Sequence, residues 1–74
     1  MSHLVRRGKR EYQVFVEAVE TGGFTYFVID RDLSGPTTTE TRHESRLCFA
    51  TEEMALLGGI ANARKRARAD TIRH

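Results

Sequence analysis

The sequence predicts an α+β fold: a three-stranded antiparallel meander over about residues 11–20, 24–32 and 40–49, with one C-terminal helix over about 52–70 packed on one face. Three observations predict it. Tyr12, Val14, Val16 and Ala18 alternate with Gln13, Phe15, Glu17 and Val19, the period of a strand. Thr21-Gly22-Gly23 then separates this run from Phe24-Thr25-Tyr26-Phe27-Val28-Ile29, rich in β-branched and aromatic residues. From Thr51 onward apolar residues recur at helical spacing.

The first and second strands are expected to form a hairpin, because Gly-Gly supplies the positive φ angles of a tight turn. With Gly22-Gly23 as a two-residue loop, Thr21 faces Phe24, Ala18 faces Phe27 and Val16 faces Ile29. That register puts Tyr12, Val14, Val16, Ala18, Phe27 and Ile29 on one apolar face. Phe15, Val19, Phe24, Tyr26 and Val28 then lie on the other, a candidate interaction face for a partner or a second copy of the chain.

Asp30 to Pro36 reads as a turn-rich linker. The threonine-rich stretch that follows has no apolar face before Leu47 and Phe49, so it suits an edge strand. It should be best formed over Ser45–Phe49 and loose before that. Thr51 is a good N-cap, and Glu52 and Glu53 complement the positive end of the helix dipole. Met54, Leu56, Leu57, Ile60, Ala61 and Ala67 share one broad half of the helical wheel. Gly58-Gly59 in mid-helix points either to close packing over a ring, with Phe27 the first candidate, or to a kink.

At the strand-to-helix junction, Phe49-Ala50-Thr51-Glu52-Glu53-Met54-Ala55 resembles the corresponding segment of small bacterial βββα domains of unknown function. It resembles more distantly that of the arm-type DNA-binding domain of phage integrases. The resemblance implies a bacterial or phage protein, and the integrase group implies a three-stranded sheet laid in the major groove. The acidic residues Glu17, Glu20, Asp30, Asp32, Glu40 and Glu44 depart from the basic strands that such binding would use.

Charge is distributed unevenly. Residues 1–10 sum to +4, residues 11–62 to −6 and residues 63–74 to +4, giving the net +2. The expected organisation is therefore a flexible basic arm (1–10) followed by one βββα domain (11–74) with a basic helix end. Arg6, Arg7, Lys9, Arg10, Arg64, Lys65, Arg66 and Arg68 are the candidate phosphate contacts. Solubility and the negative C-terminal helix dipole are the competing explanations for these charges.

No catalytic constellation can be assembled. Cys48, between Leu47 and Phe49, reads as a buried, inert thiol. His43 and Glu44 are adjacent in a strand and point to opposite faces; His3 and His74 lie near the ends. A single cysteine excludes an internal disulfide, and no His/Cys/Asp/Glu spacing supplies a metal site. No apolar run approaches the ~18 residues of a membrane span, and no apolar secretory leader is evident, so a cytoplasmic protein is expected. The expectation is thus a small non-enzymatic module without cofactor or metal, serving protein interaction or structure, possible as a homodimer, with nucleic-acid binding as the alternative.

Overall fold

The computed structural model describes residues 2–72, with side chains through residue 69; Met1, Arg73 and His74 lie outside it. The chain runs β1 (Ser2–Arg7), β2 (Arg10–Ala18), β3 (Phe24–Asp32), β4 (Thr39–Glu44) and α1 (Glu52–Ile72). The strands form one antiparallel sheet in the order β1-β2-β3-β4, with α1 against one face. The fold is α+β with a C-terminal helix, as expected, but the sheet has four strands rather than three.

The extra strand is built from the segment expected to be a flexible arm. Arg7 pairs with Arg10 across Gly8-Lys9, and Gly8 takes φ +59°. Glycine at the first position of a two-residue loop matches the twist of the strands it joins. The pairing runs from Arg7↔Arg10 to Ser2↔Phe15 and turns Val5 towards Tyr12 and the core. Half-burial of Val5 and a full ladder to β2 hold the segment despite its charge.

The β2–β3 hairpin is present, but its loop is five residues rather than two, spanning residues 19–23. Val19 N–H donates to the Gly23 carbonyl at 3.0 Å, and Gly22 N–H to the Val19 carbonyl at 2.9 Å. Ala18 therefore pairs with Phe24, Val14 with Val28 and Tyr12 with Asp30. This three-residue shift from the expected register inverts β3, because a strand's side chains alternate with period two. Tyr26 and Val28 are buried, whereas Phe27 and Ile29 lie on the opposite, open face. Gly22 and Gly23 do take positive φ, 110° and 83°.

β4 forms where looseness was expected and ends where the strand was expected to be best. Thr39–Glu44 pairs with β3 as a polar edge strand, the last ladder bond running from Ser45 N–H to the Tyr26 carbonyl. Arg46 to Cys48 leave the ladder, and Phe49 rejoins it by exchanging both backbone bonds with Phe24. Leu47 stays exposed in this excursion. Cys48 is exposed too, a correction: outside a paired strand its side chain lies over the hairpin loop, where Sγ–H donates to the Gly22 carbonyl at 3.4 Å.

The helix begins as its sequence dictates. The Thr51 hydroxyl accepts from Met54 N–H at 3.1 Å, a cap contributing about 1 kcal/mol. Its packing stripe is not the one that large apolar residues suggest, however. Met54 and Leu57 are exposed, and the buried positions are Ala55, Gly59, Ala63 and Ala67, one per turn. Small residues bring the helix backbone close to the sheet, where Tyr12, Val14, Tyr26 and Val28 supply the bulk of the core. A Cβ on Gly59 would lie 2.3 Å from Val14 Cγ1, and one on Gly58 would lie 2.8 Å from Phe49 Cζ. The glycines thus serve close approach, over Tyr26 and Phe49 rather than Phe27, and α1 continues through them to Ile72.

Asp32, at the end of β3, is held in its charged form. It accepts from the Ser34 hydroxyl at 2.5 Å and from Ser34 N–H at 3.0 Å, which lower its pKa below the ordinary aspartate value against an opposing desolvation, with a lesser contribution from the Arg10 charge. A lowered folded-state pKa adds stability that is present above the unfolded value and lost as pH falls through the folded one. Ser34→Ala should move the Asp32 pKa up towards the ordinary value in a carboxyl-carbon NMR titration. An unchanged midpoint would refute the assignment of the shift to Ser34.

Candidate anion-binding cleft

Antiparallel pairing of β1 with β2 places the N-terminal charges along one edge of the sheet, and α1 crosses back over β1, β2 and β3. Between β1 and the second half of α1 lies a cleft of about 480 Å³ lined by Val5, Arg6, Arg7, Ala61, Arg64, Ala67 and Arg68. One wall is the strand edge. The other is a flank of the helix, on which Ala61, Arg64 and Arg68 recur at spacings of three and four and so project to the same side. Val5 and Ala61 contribute apolar surface to the cleft, Ala67 being almost wholly buried in the core, and no acidic residue is among the described residues lining it.

Four of the eight expected phosphate contacts are among the residues lining this cleft, although Arg6 alternates with Val5 and turns its side chain to the opposite sheet face. Arg6, Arg7, Arg64 and Arg68 come from segments more than fifty positions apart in the chain. Arg6 also reaches Glu11 at 2.6 Å across the β1–β2 ladder; its side chain is 65% exposed, so that pair is weak and open to exchange. The other four lie elsewhere. Arg10 is engaged by Asp30 at 3.2 Å and Asp32 at 3.4 Å. Arg66 donates to Asn62 Oδ1 at 2.7 Å. Lys65 is exposed on the helix outside the cleft, and Lys9 sits in the β1–β2 turn, its carbonyl accepting from Leu33 N–H.

The helix dipole does not account for the arginines on this flank. Dipole effects fade within the last turn of a helix, and the last turn of α1 carries no basic residue. Arg64 and Arg68 precede that turn.

The expected interaction face is regrouped by the register. Of Phe15, Val19, Phe24, Tyr26 and Val28, only Phe15 remains in the ladder of the uncovered sheet face. Tyr26 and Val28 are core, Phe24 is paired with both Ala18 and Phe49, and Val19 lies in the loop. Phe15 stacks on Phe27 with ring centroids 5.1 Å apart, and the Arg42 guanidinium sits 3.8 Å from the Phe27 centroid. Around this stack Arg42 pairs with Glu44 at 2.8 Å, and Arg31 with Glu40 and with Gln13. The face is a lattice of satisfied charges about a small aromatic centre. Phe27, Ile29 and Arg42 were missed as its members because the strand pattern is apolar on both sides.

Among the described residues, no group of three or more His, Cys, Asp or Glu could hold a metal ion, and no helix is long and apolar enough to cross a membrane. Comparison of the chain with protein-family models, with curated proteins and with solved structures finds no match.

Proposed function

We propose that this protein is a small non-catalytic binding module that engages nucleic acid through the arginine cleft between β1 and α1. One observation supports the reading above all: residues from the two basic ends of the sequence line a single cleft, with no acid among its described lining residues. Arg64 and Arg68 on the helix flank offer a polyanion charge-assisted hydrogen bonds to their planar forks, next to the basic residues of β1. A protein-interaction role for the open sheet face has a narrower basis, the Phe15–Phe27 stack, and its surrounding charges already pair within the chain.

The test is an anisotropy titration of labelled oligonucleotides at low and moderate salt (~50 and ~200 mM). Binding should appear at low salt and weaken steeply as salt rises. The double variant Arg64→Ala/Arg68→Ala should reduce the slope of log K against log salt by about 1.5, since each lost phosphate contact removes about 0.7–0.9. Absence of binding at low salt would overturn the reading.

A further inference from the structure

We infer that two copies of this chain associate edge to edge through β1, forming one continuous antiparallel sheet centred on Leu4. This association is independent of the nucleic-acid reading. The direction of the backbone groups carries the first part of the argument, since successive residues of a strand bond to opposite sides. Ser45 N–H donates to the Tyr26 carbonyl and Leu33 N–H to the Lys9 carbonyl, so even residues of β3 bond towards β4 and odd residues of β2 towards β3. Tyr12 and Val14 therefore bond to Val5 and His3, and Ser2, Leu4 and Arg6 turn their N–H and C=O groups outward. Among the described residues no strand lies beyond them, and Leu4 is 44% exposed.

The side chains of the two sheet edges carry the second part. An open edge is a template for another strand unless charge guards it. On β4 the outward residues are Glu40, Arg42 and Glu44. Antiparallel self-pairing there would set Arg42 against Arg42 and Glu40 against Glu44, like charge facing like. The same operation on β1 pairs Leu4 with Leu4 and Ser2 with Arg6, so each outward residue finds a partner and no like charges meet. On the open face Leu4 then carries the apolar patch of Phe15, Phe27 and Ile29 across to its symmetry mate. On the helix face His3 of the second copy lies opposite half-buried Val5. A two-fold axis normal to the sheet closes the pair and leaves both α1 helices on one face, with their Arg64 and Arg68 flanks on either side of the joined β1 strands.

The experiment is sedimentation velocity over a concentration series, without nucleic acid and at moderate salt (~200 mM) to screen the two basic flanks from each other. Wild type should pass from monomer to dimer. Leu4→Lys should raise the dimer dissociation constant by about tenfold, the combined effect of losing one apolar cross-strand pair and gaining one like-charge pair. Leu4 lies outside the core, so circular dichroism of the variant should match wild type. Amide exchange on wild type gives a second readout: the Leu4 and Arg6 amides should gain protection with concentration, and those of His3 and Val5, already in the ladder, should change less. A chain that stays monomeric overturns the inference. So does a dimer indifferent to Leu4→Lys without that alternation, which would place the contact on the open sheet face. An open series of larger species also overturns it, since β1 would then pair with β4 of a neighbour. None of these results bears on oligonucleotide binding, which the anisotropy titration decides separately.

Discussion

Gly59→Leu should cost at least about 3 kcal/mol of stability and lower the melting temperature by roughly 12–24 °C, followed by circular dichroism at 222 nm. The cause is a backbone-to-sheet approach that leaves no room for a side chain. A Cβ at residue 59 meets Val14 Cγ1 at 2.3 Å and Tyr26 Cγ at 3.1 Å, and Val14 is fully buried and stiff at χ1. Alanine in place of glycine would favour the helix by about 1 kcal/mol in isolation. Here that gain is set against moving Val14 or lifting the helix away from Tyr12, Tyr26 and Val28. A domain of 74 residues has on the order of 4–11 kcal/mol in total, so the leucine variant loses a large share of it. Gly58→Ala should do less damage, because the atom it meets is the rim of the half-buried Phe49 ring, which can move. A Gly59→Leu protein that melts with the wild type would mean that the helix does not sit where described.

Tyr26→Ala and Phe27→Ala should separate sharply although the residues are adjacent. Tyr26 is 7% exposed, lies under Gly58 and Gly59, and has its ring centroid 6.0 Å from that of Phe49. Truncating such a ring costs about 3–5 kcal/mol. Phe27 faces solvent on the other side of the sheet, where truncation forfeits mainly its stack on Phe15, worth about 0.5–1.5 kcal/mol, and the contact with Arg42. Urea denaturation of both variants measures the difference directly. A larger loss at Phe27 than at Tyr26 would restore the two-residue hairpin and its register.

That pair of residues also marks where the sequence stopped being informative. The hairpin, its two glycines and the bounds of β3 could all be read, because Gly-Gly between two β-rich runs has one ready interpretation. The register could not. β3 presents Tyr26 and Val28 on one side and Phe27 and Ile29 on the other, so both registers produce an apolar face and hydrophobic pattern cannot choose between them. What selects the observed one is tertiary: the five-residue loop, and Phe49 docking back onto Phe24.

The helix misled in a different way. Met54 and Leu57 dominate any wheel, yet they are 52% and 60% exposed, while the sheet-facing stripe is alanine and glycine. A close helix-to-sheet contact fills its space with side chains from the sheet, and small residues carry almost no weight in a hydrophobicity argument. β1 was concealed because Arg6, Arg7, Lys9 and Arg10 read as a disordered arm; the clue was Gly8-Lys9, a two-residue loop in the form hairpins use. The cleft followed the same logic. Its arginines were identifiable as a set, but only the pairing of β1 with β2 brings the N-terminal segment beside the helix.

The walls of the cleft are β1 and α1, and β1 is an edge strand whose sheet partner among the described residues is β2. Its amides on the outer edge lack a neighbouring strand, so β1 is the natural place for local opening to begin, ahead of any global unfolding. A ligand that touches both walls raises the free energy of that opening by RT ln(1 + [L]/Kd) without altering the ladder itself. Occupancy of the cleft is therefore written into the hydrogen-exchange rates of the β1 segment, and what binds there also decides how firmly the first strand is fastened to the rest of the molecule.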